Sequence, residues 1–120
     1  MIDANDRCLI VEDNVLILMD LEDMVQSLGF KFVDRAANLP DAMALVKTHQ
    51  YRLAILDLYL GGNTSLPLSE LLKSHDIPFA VATGYSVGDE LPLLLEGVPI
   101  ISKPYSVEDI KAVMAELLGE

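Results

Sequence analysis

Cysteine occurs once in this sequence, basic side chains are scarce, and no long apolar run is present. Each shortage excludes something. The lone Cys8 has no partner for an internal disulfide and suits a reducing cytoplasm. The longest apolar stretches, such as Val15 to Met19 and Leu53 to Leu56, fall far short of the ~20 residues that span a bilayer. Met1-Ile2-Asp3-Ala4-Asn5-Asp6 has neither the basic start nor the apolar run of a signal peptide, so no membrane insertion is expected. Only 8 Lys and Arg stand against 19 Asp and Glu, a net charge of -11. Binding a phosphate backbone needs a positive field, so direct nucleic-acid contact is not expected either. No internal repeat, low-complexity tract or linker-like shift in composition interrupts the chain.

What is present is a globular composition, 52% hydrophobic and 22% charged, in 120 residues, enough for one core and too few for two. Its punctuation predicts alternating strands and helices, the pattern of a doubly wound α/β domain with a parallel sheet. Cys8 to Val11 reads as a strand buried on both faces. Asn14 to Leu28 reads as a helix, with Ile17, Leu21, Met24 and Leu28 on one stripe, Leu18 and Val25 beside it, and Gly29 as its stop. Phe32 to Ala36 is a second strand, interrupted by Asp34 and Arg35. Asn38 caps a helix running to about His49, with Pro40 in its first turn.

Leu53 to Leu56 is the third strand and ends in Asp57. A Gly-containing loop, Leu60 to Ser65, leads to a helix over Pro67 to Ser74. Phe79 to Ala82 is the fourth strand and ends in Thr83-Gly84, and Asp89 to Leu95 reads as a short helix. Ile100 to Ser102 is the fifth strand and ends in Lys103-Pro104. Ser106-Val107-Glu108-Asp109 resembles a capping box, opening a last helix to about Leu118.

Ligands of a parallel α/β sheet bind outside the carboxyl ends of its strands, where the strand order reverses. By that rule Glu12-Asp13, Asp57, Thr83 and Lys103, distant in sequence, share one edge. Carboxylates gathered there repel one another. Mg2+ offsets that repulsion, prefers oxygen ligands, and neutralises phosphoryl oxygens during transfer. Asp57 then serves as a nucleophile toward phosphorus, giving an acyl phosphate, with the Lys103 ammonium and Thr83 hydroxyl on the phosphoryl oxygens.

The runs Leu9-Ile10-Val11-Glu12-Asp13-Asn14, Leu53-Ala54-Ile55-Leu56-Asp57, Ala82-Thr83-Gly84 and Ser102-Lys103-Pro104-Tyr105 resemble those of the response-regulator receiver family, in order and across essentially the whole chain. The resemblance implies a flavodoxin-like, CheY-like three-layer fold: a five-stranded parallel sheet of order 2-1-3-4-5 with five flanking helices. It implies Asp57 as phosphoacceptor and Glu12 and Asp13 as the acidic pair. It implies Thr83 as the switch hydroxyl, Lys103 as the salt-bridging lysine, and the backbone carbonyl of Tyr59 as a further metal contact. A cis Lys103-Pro104 bond is expected on the same ground. Leu60-Gly61-Gly62, Ser65, Pro67-Leu68, Pro78-Phe79 and Ala82-Thr83-Gly84-Tyr85 are similar to a bacterial subgroup bearing a Phe-Ala-Thr-Gly-Tyr run, with Val81 in place of the Phe. One departure stands out. Where many receivers have an aromatic three residues before the lysine, this chain has Ile100, which puts the usual aromatic rotamer switch in doubt.

The expected function is therefore that of a cytoplasmic two-component or phosphorelay receiver. It takes a phosphoryl group from a histidine kinase or histidine phosphotransfer protein and signals by contact with an unidentified downstream protein. It is not a turnover enzyme; phosphorylation and dephosphorylation are self-catalysed. Met1 and the close of the last helix near Glu120 point to one receiver domain over 1–120. A domain excised from a hybrid sensor kinase and a phosphorylation-independent adaptor are the alternatives, and monomer and homodimer are both open. An aspartyl phosphatase usually carries a second Asp two residues after its nucleophile, where this chain has Tyr59. A flavodoxin-like cofactor binder would need a Gly-rich phosphate loop after the first strand, which is lacking.

Other residues have plainer readings. His49 and His75 fall at helix C-termini, where histidine suits the dipole, and Cys8 is a buried strand residue. Tyr59 and Tyr85 are either loop packing or rings that line the approach to Asp57 and slow water attack. Leu16 and Met19 lie off the helix stripe, as partner surface or as partly buried packing.

Overall fold

The computed structural model describes residues 2–84 and 95–119. In chain order the elements are β1 Arg7–Val11, α1 Val15–Ser27, β2 Phe32–Ala36, α2 Leu39–Thr48 and β3 Leu53–Asp57. A short pair, β4 Tyr59–Leu60 and β5 Asn63–Thr64, follows. Then come α3 Leu66–Ser74, β6 Phe79–Thr83, β7 Ile100–Ser102 and α4 Val107–Leu118. Five strands form one parallel sheet in the order β2-β1-β3-β6-β7, so the chain winds outward in both directions from β1 and β3. This is the flavodoxin-like, CheY-like α/β arrangement expected from the sequence, with four helices among the described residues. The short helix expected over Asp89 to Leu95 falls, but for Leu95, outside the described residues.

Two-residue alternation in the central strands divides the core. Leu9, Val11, Ala54, Leu56, Phe79 and Val81 face one side and pack with Ala42 and Val46 of α2 and Leu68 and Leu72 of α3. Cys8, Ile10, Leu53, Ile55, Ala80, Ala82 and Ile101 face the other, against Leu18, Leu21 and Val25 of α1 and Ile110, Val113 and Met114 of α4. Truncating one of these leucines or isoleucines to alanine costs about 2–5 kcal/mol.

Capping follows the sequence closely. Asn14 Oδ1 accepts the N–H groups of Leu16 and Ile17 at 3.0 and 3.2 Å. Asn38 Oδ1 accepts Asp41 N–H at 2.8 Å, and the Ser106–Asp109 capping box is formed in both directions. His49 and His75 are the C-cap residues of α2 and α3. The charges in β2 are accommodated: Asp34 accepts Arg7 at 3.3 Å and the Tyr51 hydroxyl at 2.7 Å.

The stripe of α1 differs from the expectation. Leu18, Leu21 and Val25 are its buried row, whereas Ile17 and Met24 line an open groove with Pro104 and Tyr105. The inner row faces the sheet, and the flank with Ile17 and Met24 faces the loop after β7. The loop expected between Leu60 and Ser65 also differs, being a tight antiparallel hairpin.

Candidate functional site

Strand register builds the site. Val11 pairs with Leu56, Leu56 with Val81, Asp57 with Ala82, and Thr83 with Ser102, so the ends of β1, β3, β6 and β7 come level at one edge. Backbone bonds lock that edge: Glu12 N–H donates to Ala36 O at 3.1 Å, Leu58 N–H to Ala82 O at 2.9 Å, and Lys103 N–H to Thr83 O at 3.0 Å. The Lys103-Pro104 peptide bond is cis. Glu12, Asp57 and Thr83 are buried, and Asp13 is exposed at the mouth.

A carboxylate oxygen from each of Glu12, Asp13 and Asp57 lies within 4.8 Å of the other two. The Lys103 Nζ donates to Glu12 Oε1 at 2.6 Å and to Asp57 Oδ2 at 2.7 Å. Asn14 N–H donates to the second Glu12 oxygen at 3.2 Å. Gly61 N–H donates to Asp13 Oδ2 at 3.0 Å, and Tyr59 N–H reaches Asp57 Oδ1 at a long 3.5 Å.

The electrostatics follow from burial and crowding. Desolvation raises the Glu12 carboxyl above its ordinary value, against the lowering pull of Lys103, and contact with Asp13 raises it further. Asp13 is held below the usual carboxylate range, first by its hydrogen bond with Glu12 and then by the Gly61 N–H. Desolvation works to lower the Lys103 ammonium, but the hydrogen bonds to Asp57 and Glu12 outweigh it and hold the group above 10.5. Burial, and then the Glu12 charge, push the Tyr105 phenol up to about 12.

Three carboxylates against one contacting ammonium leave a negative excess, which a hard divalent cation would neutralise. Two oxygens on one Mg2+, each about 2.1 Å from it, lie at most about 4.2 Å apart. Three oxygens sharing such an octahedral ion have neighbours only about 3.0 Å apart, so donors within 4.8 Å of one another would close on it by side-chain adjustments on the ångström scale. The donor set is all oxygen and fits magnesium.

Every sequence-derived site residue within the described segments lies at this edge, and Tyr85 lies outside those segments. Sequence reasoning placed Lys103 on phosphoryl oxygens and, by resemblance, in a salt bridge, without naming Glu12 as a partner. It also missed Gly61, whose contribution is a backbone N–H; the signal was the Gly61-Gly62 pair, a strong two-residue turn former. Ile100 is half-buried and packs against the core cluster on the face of the sheet that α2 and α3 also cover. Leu16 and Met19 are exposed, as is Val15.

A family model described as the response regulator receiver domain matches residues 8–115. The chain belongs to that family. Among curated relatives, the transcriptional regulatory protein PdtaR of Mycobacterium tuberculosis is 29% identical over 107 residues, covering 87% of this chain and 52% of PdtaR. The chain thus spans about half the length of the first curated relatives it matches. The solution structure of SdrG from Sphingomonas melonis Fr1 aligns with a TM-score of 0.83 and 36% identity, over 98% of this receiver and 99% of SdrG. The receiver domain of the sensor histidine kinase PA1611 from Pseudomonas aeruginosa PAO1, which carries magnesium in its active-site cleft, shares the fold. It aligns with a TM-score of 0.83 at 21% identity, over 98% of this chain and 100% of that one.

Proposed function

We propose that this receiver accepts a phosphoryl group on Asp57 from a phosphohistidine of a kinase or phosphotransfer protein. The observation that carries the reading is the meeting of three carboxylates within 4.8 Å with an ammonium 2.7 Å from Asp57. An Asp57 oxygen forms the new P–O bond as the P–N bond to the donor breaks, and the donor histidine leaves as imidazole. Lys103 holds negative charge beside Asp57, and the Thr83 hydroxyl at the end of β6 donates to a phosphoryl oxygen. Glu12, Asp13, Asp57 and the Tyr59 backbone carbonyl would hold Mg2+, as the acidic donor set favours. When bound, that ion supplies neutralisation of the phosphoryl charge.

Output is by protein contact, in the cytoplasm, rather than by turnover. Among the described residues no helix is long and apolar enough to cross a membrane. The subgroup resemblance carried by Leu60-Gly61-Gly62 and Ala82-Thr83-Gly84-Tyr85 fits the similarity to SdrG, for which a beryllofluoride-activated conformation is also known. With Ile100 packed on the core, no aromatic switch operates at that position, and the response to phosphorylation passes through the segments after Asp57 and Thr83.

The test is intact mass after mixing with Mg2+ and acetyl phosphate. One added phosphoryl group is expected, absent in Asp57→Asn and absent with a chelator. A gain that survives Asp57→Asn, or fast release of inorganic phosphate by a chain that never gains mass, overturns the reading.

A further inference from the structure

Asp13 is the exposed member of the acidic trio, and besides its contact with the adjacent Glu12 its carboxylate is held from outside its own loop. That second hold lies 48 positions along the chain, in the hairpin that follows Asp57. Tyr59 pairs with Thr64 and Leu60 with Asn63, leaving Gly61-Gly62 as a two-residue turn with φ of +57° and +88°. Positive φ at both central positions is the type I′ pattern, which matches the twist of a two-stranded ribbon. The hairpin is pinned at three levels. Ser65 N–H closes its base on Leu58 O at 2.8 Å. Leu60 is buried in the core cluster with Leu58. At the tip, Gly61 N–H reaches Asp13 Oδ2 at 3.0 Å.

We propose that this hairpin is a positioning strap for the metal ligand Asp13, its Gly61 N–H holding one carboxylate oxygen so that the other is presented to the cation. The inference rests on the magnesium reading above and adds a residue to it. Partners that orient a metal ligand are commonly worth 10- to 100-fold in affinity. Because Gly61 acts through backbone geometry, its side-chain position is a clean handle. A Cβ built there meets no heavy atom within 4 Å, so a substitution changes turn conformation and not packing. Asparagine tolerates the left-handed region and β-branched valine does not.

Mg2+ titration of the full chain by calorimetry, with unchanged far-UV circular dichroism as the folding control, tests this. Gly61→Val is expected to weaken Mg2+ binding about tenfold, and Gly61→Asn to bind like the wild type. Should Gly61→Val not fold, Gly62→Val probes the same turn. An independent readout needs no metal: in Asp13→Ala, the Gly61 amide should exchange with solvent faster than in the wild type. Wild-type affinity in the valine variant, equal weakening in the asparagine variant, or an unchanged Gly61 exchange rate each overturns the strap. Absence of Mg2+ binding by the wild type itself overturns the magnesium reading, and is distinguished by being seen before any variant is made.

Discussion

The Lys103 ammonium bridges two carboxylates that come from different strands, 2.6 Å from Glu12 and 2.7 Å from Asp57. One cation therefore ties together the ends of β1, β3 and β7. Glu12 is 2% exposed, so water does little to solvate its charge if the ammonium is removed.

Lys103→Met should lower the unfolding free energy by about 1–3 kcal/mol, the cost of leaving a buried charged acceptor without its partner. Urea melts of the chelated protein give the value. Added Mg2+ should recover part of the loss, since it supplies positive charge to the same oxygens. A variant as stable as the wild type in chelator would mean that the bridge contributes nothing net.

Mg2+ should stabilise the native state by mass action, by about 2.7 kcal/mol at a concentration one hundred times its Kd. Thermal melts with and without chelator measure this. Asp13→Asn and Asp57→Asn should each reduce the increment, because each removes one of the anionic donors. An equal rise in Tm for both variants and the wild type would place the ion elsewhere.

Tyr59 stands two residues beyond Asp57, with its N–H toward the Asp57 carboxylate, and the residue is 41% exposed. Tyr59→Ala should shorten the lifetime of phosphorylated Asp57, because a smaller side chain opens the approach of water. Loss of the phosphoryl mass over time measures it, and an unchanged or longer lifetime would assign the ring to loop packing alone.

Tyr105 is expected to contribute to an alkaline limit on stability. Its phenol is pushed from 10.0 to about 12, first by burial and then by Glu12. A group whose pKa is higher folded than unfolded favours folding fully below the unfolded value and loses that contribution as pH rises through the folded one. Stability should thus fall between pH 10 and about 12. Lys103, held above 10.5, acts in the same sense. Tyr105→Phe should flatten the tyrosine share of the slope in urea melts across that range, and an unaltered slope would show that the phenol is not responsible.

Much of this was legible from residue order because strand ends are positional. Once Leu53 to Leu56 reads as a buried strand, Asp57 must stand at its mouth, and the same holds for Glu12-Asp13 after β1 and Lys103 after β7. Caps were legible for a related reason: Asn38 and Ser106 bond to N–H groups only three residues away. The rest depends on distance in space. The inner row of α1 is Leu18, Leu21 and Val25, the residues that meet the sheet, a choice that periodicity alone leaves free by a residue. The Lys103–Glu12 bond spans 91 positions, and the Gly61 contact uses an atom that every residue but proline possesses.

The central strands have a mechanical consequence. Leu9, Ile10, Ile55 and Leu56 are wholly sealed between helices on both faces, so the platform beneath Asp57 has no slack. A new anion on Asp57 has no soft floor to press into. On the proposed phosphorylation of Asp57, displacement is expected along the rim, in backbone that follows the strands, and a partner is expected to sense it there.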